Sequence, residues 1–320
     1  MKKADWYYPM AGYSSIAKAW APLLLKRTFM AEKPDVVHAS WIPTYAFLAY
    51  LSKIKPLVSE VLGSDVILDH LLNPLTRSLV IKTLSYSNAV IVPAEHVKRK
   101  VLSYKVDNDK VFCIPVGVDT SRFHRDEENR RRIRSSMGID DDTTLIICTR
   151  WHAPIYGIEN IIRAIPKLTH KRIIFLFVGT GPLLDYHKAL AKDLGLFSKA
   201  TFMEPVPNNE LPKYLSAADV YISSSYSDGT SISLLEAMSC ELPVIVTDIL
   251  GNREWVSNEQ NGLLIEKNDP SLIAKRILDI VSLRSEWKRI GLRNRSIVRD
   301  KGDINKLSLK LLKVYYFAVR

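Results

Sequence analysis

The chain has 320 residues, of which 47% are hydrophobic and 25% charged, and its formal net charge at pH 7 is +11. This length favours two domains of ordinary size, and the apolar fraction excludes a disordered chain because it suffices for a folded core. The positive charge favours an acidic partner such as nucleotide phosphates or anionic lipid, whereas no RNA-binding aromatic motif or helix-turn-helix pattern supports nucleic acid.

The three cysteines, Cys113, Cys148 and Cys240, lie far apart in or beside apolar runs. Their spacing predicts neither a disulfide framework nor a metal site, so we expect no metal cofactor and a reducing compartment. The N-terminal MKKADWYYPM lacks the continuous apolar segment of a secretory signal, and no apolar run approaches the roughly 20 residues that cross a bilayer. The sequence therefore predicts a cytoplasmic protein.

The first half of the chain alternates between strand and helix patterns. Residues 1–33 predict an aromatic start, a turn at Gly12 and a helix that ends near Ala31. Four apolar runs then predict strands, namely DVVHAS, PLVSEVLG, NAVIVP and KVFCIP. Because helical patterns separate these runs, they predict a parallel sheet covered by helices.

Three residues of this half are candidates for lining an interdomain cleft. His38 is predicted to end the strand DVVHAS and so to lie at the edge where parallel strands bind ligands, although a lone histidine there is more often packed or solvated than catalytic. Gly63 and Asp65 follow the second strand, and Asp65 either lines the cleft or caps the next helix after the Gly turn.

Residues 114–124, IPVGVDTSRFH, predict a link between two domains because Pro115 and Gly117 interrupt regular structure. The second half predicts a complete doubly wound domain of Rossmann type, so the expected domains are 1–118 and 119–302, with a final helix over 303–320 that crosses back to the first domain. The turn VGTGP is not a G-x-G-x-x-G fingerprint, which disfavours a dehydrogenase.

The most informative stretch runs from residue 219 to 247 and predicts a strand, a turn, a short helix and a second strand. Asp228 opens the turn, and the next three residues place their amides at the N-terminus of the helix, where anions bind. Glu236 follows within two helical turns, and carboxylates can hold hydroxyl groups. The stretch therefore favours a ligand with both phosphate and sugar, although a simple Asp-Gly turn and a Ser233–Glu236 capping box are alternatives.

This stretch, DGTSISLLEAMSCELPVI, resembles the signature of the GT4-type retaining glycosyltransferases of the GT-B fold, with Asp228 where the first Glu is usual. The resemblance implies an α/β protein of two Rossmann-like domains facing across a cleft, the first lacking its opening strand and Gly-rich loop. It also implies sugar transfer with retention from a nucleoside-diphosphate sugar to a glycan, lipid-linked or other acceptor, without a metal. Because many relatives use lipid-linked acceptors, peripheral contact with the inner face of an anionic membrane is expected.

The resemblance also assigns roles to single residues. These are catalytic roles for Asp228, Glu236 and Arg150, diphosphate binding by Gly229, Thr230, Ser231, Arg150 and Tyr156, and nucleotide binding by Glu236 and Val206. Tyr156 stands where relatives usually have a Lys. A phenol can donate one hydrogen bond to phosphate but cannot offset its charge, so a second cation from Lys213 or Arg253 is an alternative.

Two other functions compete with this one. A GT-B protein that binds nucleotide sugars or a protein partner, but has lost catalysis, fits the missing opening strand and the Tyr156 substitution. A phosphorylase acting on sugar phosphates is the second alternative.

Overall fold

The computed structural model describes residues 15–67, 74–168 and 172–320, so the predicted aromatic start and the turn at Gly12 lie outside the described residues. The chain divides into two compact units. The first consists of Met1–Ile114 and Lys310–Arg320, and the second of Pro115–Leu309. Among the helices of the described residues, none is long and apolar enough to cross a membrane.

The first unit contains a parallel sheet of four strands. Its elements in chain order are α1 (Ser15–Glu32), β1 (Val37–Ser40), α2 (Phe47–Leu51), β2 (Leu57–Glu60), α3 (Ser64–Ile67), α4 (Pro74–Tyr86), β3 (Ala89–Val92), α5 (Glu95–Leu102) and β4 (Val111–Cys113). A π-helical turn over Ile42–Ala46 precedes α2. The strands are paired in chain order, which confirms the alternating strand and helix pattern predicted for this half.

The second unit contains a parallel sheet of six strands. The elements from here to the end of the chain are α6 (Glu127–Ser136), β5 (Thr144–Cys148), α7 (Ile158–Ala164), β6 (Ile173–Val178), α8 (Leu184–Asp193), β7 (Ala200–Met203), α9 (Leu211–Ala217), β8 (Val220–Ser223), α10 (Ile232–Ser239), β9 (Val244–Thr247), α11 (Leu250–Arg253), β10 (Gly262–Ile265), α12 (Pro270–Ser282), α13 (Trp287–Lys301) and α14 (Ile304–Val319). The order of the six strands across the sheet is β10-β9-β8-β5-β6-β7. This is the doubly wound domain that the sequence predicts.

The strand order of this sheet reverses between β5 and β8. From β5 the chain adds β6 and β7 on one side, and then returns to place β8, β9 and β10 on the other. The loops that follow β5 and β8 therefore leave the same edge of the sheet at a topological switch point, which is where doubly wound sheets bind ligands.

Buried apolar residues cover both faces of this sheet. On β5, Leu145 and Ile147 belong to one core cluster, whereas Ile146 and Cys148 belong to the cluster on the opposite face. Successive side chains of a strand point to opposite faces, so a strand covered on both sides is apolar throughout. This explains why TTLIIC contains no polar alternation.

A buried ion-pair network fixes the start of β8 next to β5. Asp219 Oδ1 lies 2.6 Å from Arg130 Nη2, and its Oδ2 lies 3.0 Å from Arg134 Nη1. The amide of Leu145 donates to the same Oδ2 at 2.8 Å. Because one carboxylate joins two arginines of α6 to the backbone of β5, the network holds α6 and two central strands in one arrangement.

The last helix, α14, starts in the second unit, and its residues from Lys310 onward belong to the first. In the first unit, Val314 and Ala318 pack with Val58, Ala89 and Ile91 in one buried cluster. The apolar end of the chain is therefore a packing surface.

Candidate active site

The residues predicted to bind a diphosphate lie in the loops after β5 and β8. Arg150 follows the last residue of β5 by two positions, and Asp228 to Ser231 lie between β8 and α10. Since these two strands are neighbours at the switch point, residues some 80 positions apart come together there.

Arg150 is the centre of the site. Its Nη2 donates to Asp228 Oδ2 at 2.7 Å, and its Nη1 donates to Ser231 Oγ at 2.6 Å and Ser233 Oγ at 2.9 Å. The arginine is only 7% exposed. The structure thus brings together Arg150, Asp228 and Ser231 as expected, and adds Ser233, which the sequence analysis had considered only as part of a helix cap.

Tyr156 contacts the arginine through its ring. The guanidinium carbon of Arg150 lies 4.1 Å from the centre of the Tyr156 ring, a cation–π contact. The next residue, Gly157, has φ of 59°, and a Cβ there would meet Ser224 and Asn268, so the turn after Tyr156 requires glycine. The structure thus shows an aromatic support beneath Arg150, and diphosphate binding by the Tyr156 hydroxyl stays a prediction.

Ser231 begins the helix at this site. It is the N-cap of α10, and its side chain accepts a hydrogen bond from the amide of Leu234. The alternative capping box from Ser233 to Glu236 is therefore wrong, because the cap lies two residues earlier. The turn before the helix is packed against Gly251, where a Cβ would lie 2.6 Å from the carbonyl oxygen of Gly229.

Glu236 and Asp228 occupy different environments in the same site. Glu236 is 7% exposed, and burial raises its pKa to about 7 although the nearby Arg150 charge opposes the shift. Asp228 instead forms the ion pair with Arg150. Asp228 is therefore bound directly to a cation, whereas Glu236 can gain or lose a proton near neutral pH.

The loop that carries Arg150 rests on the turn VGTGP. The amide of His152 donates to the carbonyl of Thr180 at 2.8 Å, and the amide of Leu183 donates to the carbonyl of His152 at 2.8 Å. Gly181 has φ of 149°, and a Cβ there would lie 2.5 Å from the carbonyl oxygen of His152. Gly181 thus makes room for the arginine loop.

The other cations considered for the site have partners elsewhere. Lys213 lies 2.5 Å from Glu210, and Arg253 lies 2.5 Å from Asp248. Val206 follows β7 and packs, partly buried, against the core cluster that contains Tyr221. The structure therefore does not join these residues to the Arg150 cluster.

The candidates of the first unit are held by local contacts. Asp65 is buried and accepts hydrogen bonds from the amides of Gly63 at 2.8 Å, Leu62 at 3.1 Å and Ile42 at 3.2 Å. It lies within α3, so it is not the N-cap of that helix. Its carboxylate joins the loops after β1 and β2, which favours a structural role.

His38 is the second residue of β1, so the prediction that it ends the strand is wrong, and it contacts the last helix. Its Nδ1 is 2.8 Å from the hydroxyl of Tyr315, and its Nε2 is 3.5 Å from Glu60 Oε2. Burial opposes ionisation of Glu60, but hydrogen bonds from His38 and Ser40 outweigh it and lower the pKa of the carboxyl group. His38 thus belongs to a polar cluster within the first unit.

Comparison with known proteins places the chain in a family. Residues 129–296 match the family model described as glycosyl transferases group 1, and residues 5–122 match the model of glycosyltransferase family 4. The first match covers more than half of the chain. The chain therefore belongs to the glycosyl transferases group 1 family.

Two relatives illustrate the range of similarity. An uncharacterized glycosyltransferase of Methanocaldococcus jannaschii is 30% identical over 219 residues, which are 67% of this chain and 55% of that protein. A GDP-mannose-dependent alpha-(1-6)-phosphatidylinositol monomannoside mannosyltransferase of Mycolicibacterium smegmatis is 26% identical over 218 residues, 65% of this chain and 57% of that protein. The chain thus spans little more than half the length of these relatives.

The fold agrees with a solved structure. HepE of Anabaena, in complex with UDP and glucose, matches with a TM-score of 0.80 at 18% identity, and the match covers 95% of this chain and 83% of that one. The similarity confirms the predicted GT-B fold and, at this identity, shows the fold alone.

The raised pKa of Glu236 should make the stability of the protein depend on pH. Because its pKa is raised from 4.5 to about 7 on folding, its neutral form stabilises the protein at low pH, and this advantage is lost as pH rises through 7. Glu236→Gln does not titrate, so its free energy of unfolding relative to wild type should rise by about 2–3 kcal/mol between pH 5 and pH 8. Urea unfolding at both values measures the difference.

The control is Glu204→Gln, because the Glu204 side chain is 71% exposed. If the difference in free energy of unfolding between Glu236→Gln and wild type is constant from pH 5 to pH 8, Glu236 does not have a raised pKa.

Proposed function

We propose that this protein is a retaining glycosyltransferase that moves a sugar from a nucleoside-diphosphate sugar to a glycan, lipid-linked or other acceptor. The observation that carries the proposal is the cluster at the switch point of the second unit, where Arg150, two serine hydroxyls and the N-terminus of α10 converge. A buried cation beside a helix N-terminus suits a diphosphate. Family membership supports the same activity.

The arrangement suits departure of a diphosphate leaving group. Negative charge grows on the β-phosphate as its bond to the sugar breaks, and groups fixed in advance near that charge stabilise the transition state more than the ground state. In this proposal Arg150 and the amides of Gly229 to Ser231 have that task. The chemistry requires no metal, since the cation is supplied by the protein.

The two carboxyl groups serve the sugar-bearing parts of the donor in this proposal. Asp228 lies at the start of the turn, beside the transferred sugar, and holds one of its hydroxyls. Glu236 lies further along α10 and binds the ribose. A carboxyl group with a pKa about 7 can both donate and accept hydrogen bonds to the paired ribose hydroxyls near neutral pH.

Nucleotide binding tests the site directly. We expect UDP or GDP to raise the melting temperature, because a ligand at 100 times its Kd stabilises by about 2.7 kcal/mol, and the matching nucleoside to have little effect. Arg150→Met should weaken nucleoside-diphosphate binding about 10- to 100-fold, since a charge-assisted hydrogen bond contributes about 1.5–3 kcal/mol. Calorimetric titration measures both affinities.

Arg289→Met is the matched control, because Arg289 is 62% exposed and pairs only locally with Glu286 in the contacts described. The donor site is placed wrongly if Arg150→Met binds the nucleotide as tightly as Arg289→Met does. A chain stabilised by sugar phosphates and by no nucleoside diphosphate would instead be a phosphorylase.

A binding protein without catalysis is the second candidate. It is favoured by the contacts of Arg150, which is already paired with Asp228 and stacked on Tyr156, so the usual second cation is replaced by a neutral ring. Leaving-group stabilisation would then be weaker than in relatives with two cations.

Asp228→Asn separates the two candidates. In an enzyme, this change should lower donor hydrolysis or transfer by about 100-fold or more, because loss of one preorganised polar group at the reaction centre typically costs that much. Nucleotide affinity should not fall, since Asn does not compete for Arg150 as an anion. Release of free sugar from UDP- and GDP-sugars is the assay, and equal low rates in both proteins would support the binding protein.

We also propose that the first unit contacts an anionic membrane. Three apolar residues of α1 face outward at helical spacing and are about three-fifths exposed, namely Trp20 at 59%, Leu23 at 59% and Leu24 at 60%. Lys26 and Arg27 lie beside them on the same helix. Apolar side chains with adjacent cations are typical of helices that lie in a lipid interface.

Vesicle co-sedimentation tests this contact. Wild type should bind vesicles with phosphatidylglycerol more tightly than vesicles of phosphatidylcholine alone. The pair Leu23→Glu and Leu24→Glu should weaken binding at least about tenfold, because a buried leucine contributes about 1.5–3 kcal/mol. Leu278→Glu with Leu292→Glu, exposed leucines of the second unit, is the control. Equal binding of both double variants would contradict the contact.

A further inference from the structure

Two histidines of the second unit form a buried pair behind the candidate site. His152 Nδ1 and His187 Nδ1 are 2.8 Å apart, and each residue is 1% exposed. Phe202 packs on His152 and Tyr186 packs on His187, with ring centres 6.1 Å and 5.6 Å apart. Hydrogen bonding between two Nδ1 atoms requires that one carries a proton and the other does not.

This pair connects the arginine loop to a helix. His152 lies two residues after Arg150 and four before Tyr156, whereas His187 lies on α8. The backbone of His152 is also hydrogen-bonded to Thr180 within the VGTGP turn and to Leu183 directly after it. The hydrogen bond between the two imidazole rings thus joins α8 to the loop that carries Arg150 and Tyr156.

We propose that the bond between His152 and His187 positions Arg150 for the donor, and that the pair limits donor binding at acid pH. The role of this bond in donor binding rests on the proposed function, whereas its role in fixing the loop that carries Arg150 does not. Neither histidine touches the diphosphate in this proposal, so both are positioning residues.

The chemistry of the bond explains the acid limit. A first proton can enter at the outer nitrogen of the donating ring and leave the bond intact. A second proton must enter at the accepting Nδ1, which would set two N–H groups and two positive charges against each other at 2.8 Å. The doubly protonated pair must therefore separate.

The surroundings favour the neutral pair. Burial, and then the charges of His187 and Lys188, lower the pKa of His152 to about 4. Burial also lowers the pKa of His187, and this effect is opposed by Glu159 on α7. The other charged or titratable groups near the pair are Arg163, Tyr186 and Glu204, of which Arg163 pairs with Glu159 and Glu204 with Lys188.

The sign of the pH effect follows from these shifts. Both histidines bind protons more weakly in the folded chain than in the unfolded chain, whose ordinary pKa is 6.5. Their contribution to stability is therefore complete above pH 6.5 and is lost as pH falls toward 4. Donor binding should follow the same direction because the loop is released when the pair separates.

Two variants of His187 test the proposal. His187→Phe keeps a ring and removes the bond, whereas Asn in His187→Asn offers a polar atom near the position of Nδ1 and does not titrate. We expect His187→Phe to weaken UDP or GDP binding about 3- to 10-fold at pH 7.5, and His187→Asn to restore most of the affinity. Between pH 7 and 4.5, wild type should lose affinity and His187→Asn should lose less.

Hydrogen exchange supplies a readout that needs no nucleotide. The amides of His152 and Leu183 are both bonded within this segment, so His187→Phe should speed their exchange at least about tenfold, and His187→Asn should not. If exchange is faster in His187→Phe but wild type binds no nucleotide, the histidine pair does hold the loop, and the proposed donor site is wrong. If His187→Phe lowers the melting temperature but leaves both amides protected, the pair only stabilises the fold and the proposal is wrong.

Discussion

The second unit depends at its centre on one buried cation. A guanidinium that is 7% exposed cannot remain without partners, and Arg150 finds a carboxylate, two hydroxyls and an aromatic face. Asp228, Ser231 and Tyr156 come from the loops at the reversal of strand order, and Ser233 comes from the first turn of α10. The requirement to satisfy this charge therefore fixes the relative positions of the turn after β8, the start of α10 and the loop after β5.

The sequence predicted the parallel sheets and the helix N-terminus of this arrangement, because both depend on local patterns of residues. Continuous apolar runs with helices between them predicted the parallel sheets, and the turn before α10 predicted a helix N-terminus at the carboxyl end of a strand. Arg150, Asp228 and Ser231 were expected at one site because the family resemblance gave them related roles, and the observed strand order explains how their loops meet. Such predictions succeed where a feature depends on neighbours in the chain or on the topology of the sheet.

The remaining contacts depend on side-chain packing between distant segments. A tyrosine in place of a lysine suggests a missing charge, and only the packed loop shows that its ring lies 4.1 Å from the guanidinium of Arg150. His152 and His187 are 35 positions apart and follow no period, so no pattern predicted their bond. Asp65 was open to two interpretations until its amide partners were known, because a carboxylate after a Gly turn suits several loops equally well.

The charge balance of the site shows why its two carboxyl groups differ. One cation can satisfy one carboxylate, and Asp228 takes that place at 2.7 Å. A second ionised carboxylate would have no cation to pair with in this cluster, and burial accordingly holds the pKa of Glu236 near neutrality. In the proposed function, a diphosphate would share Arg150 with Asp228, and a neutral Glu236 would reduce the negative charge that opposes its binding. The ion pair of Asp228 and the raised pKa of Glu236 therefore both reflect a cluster in which Arg150 is the one cation described for two carboxyl groups.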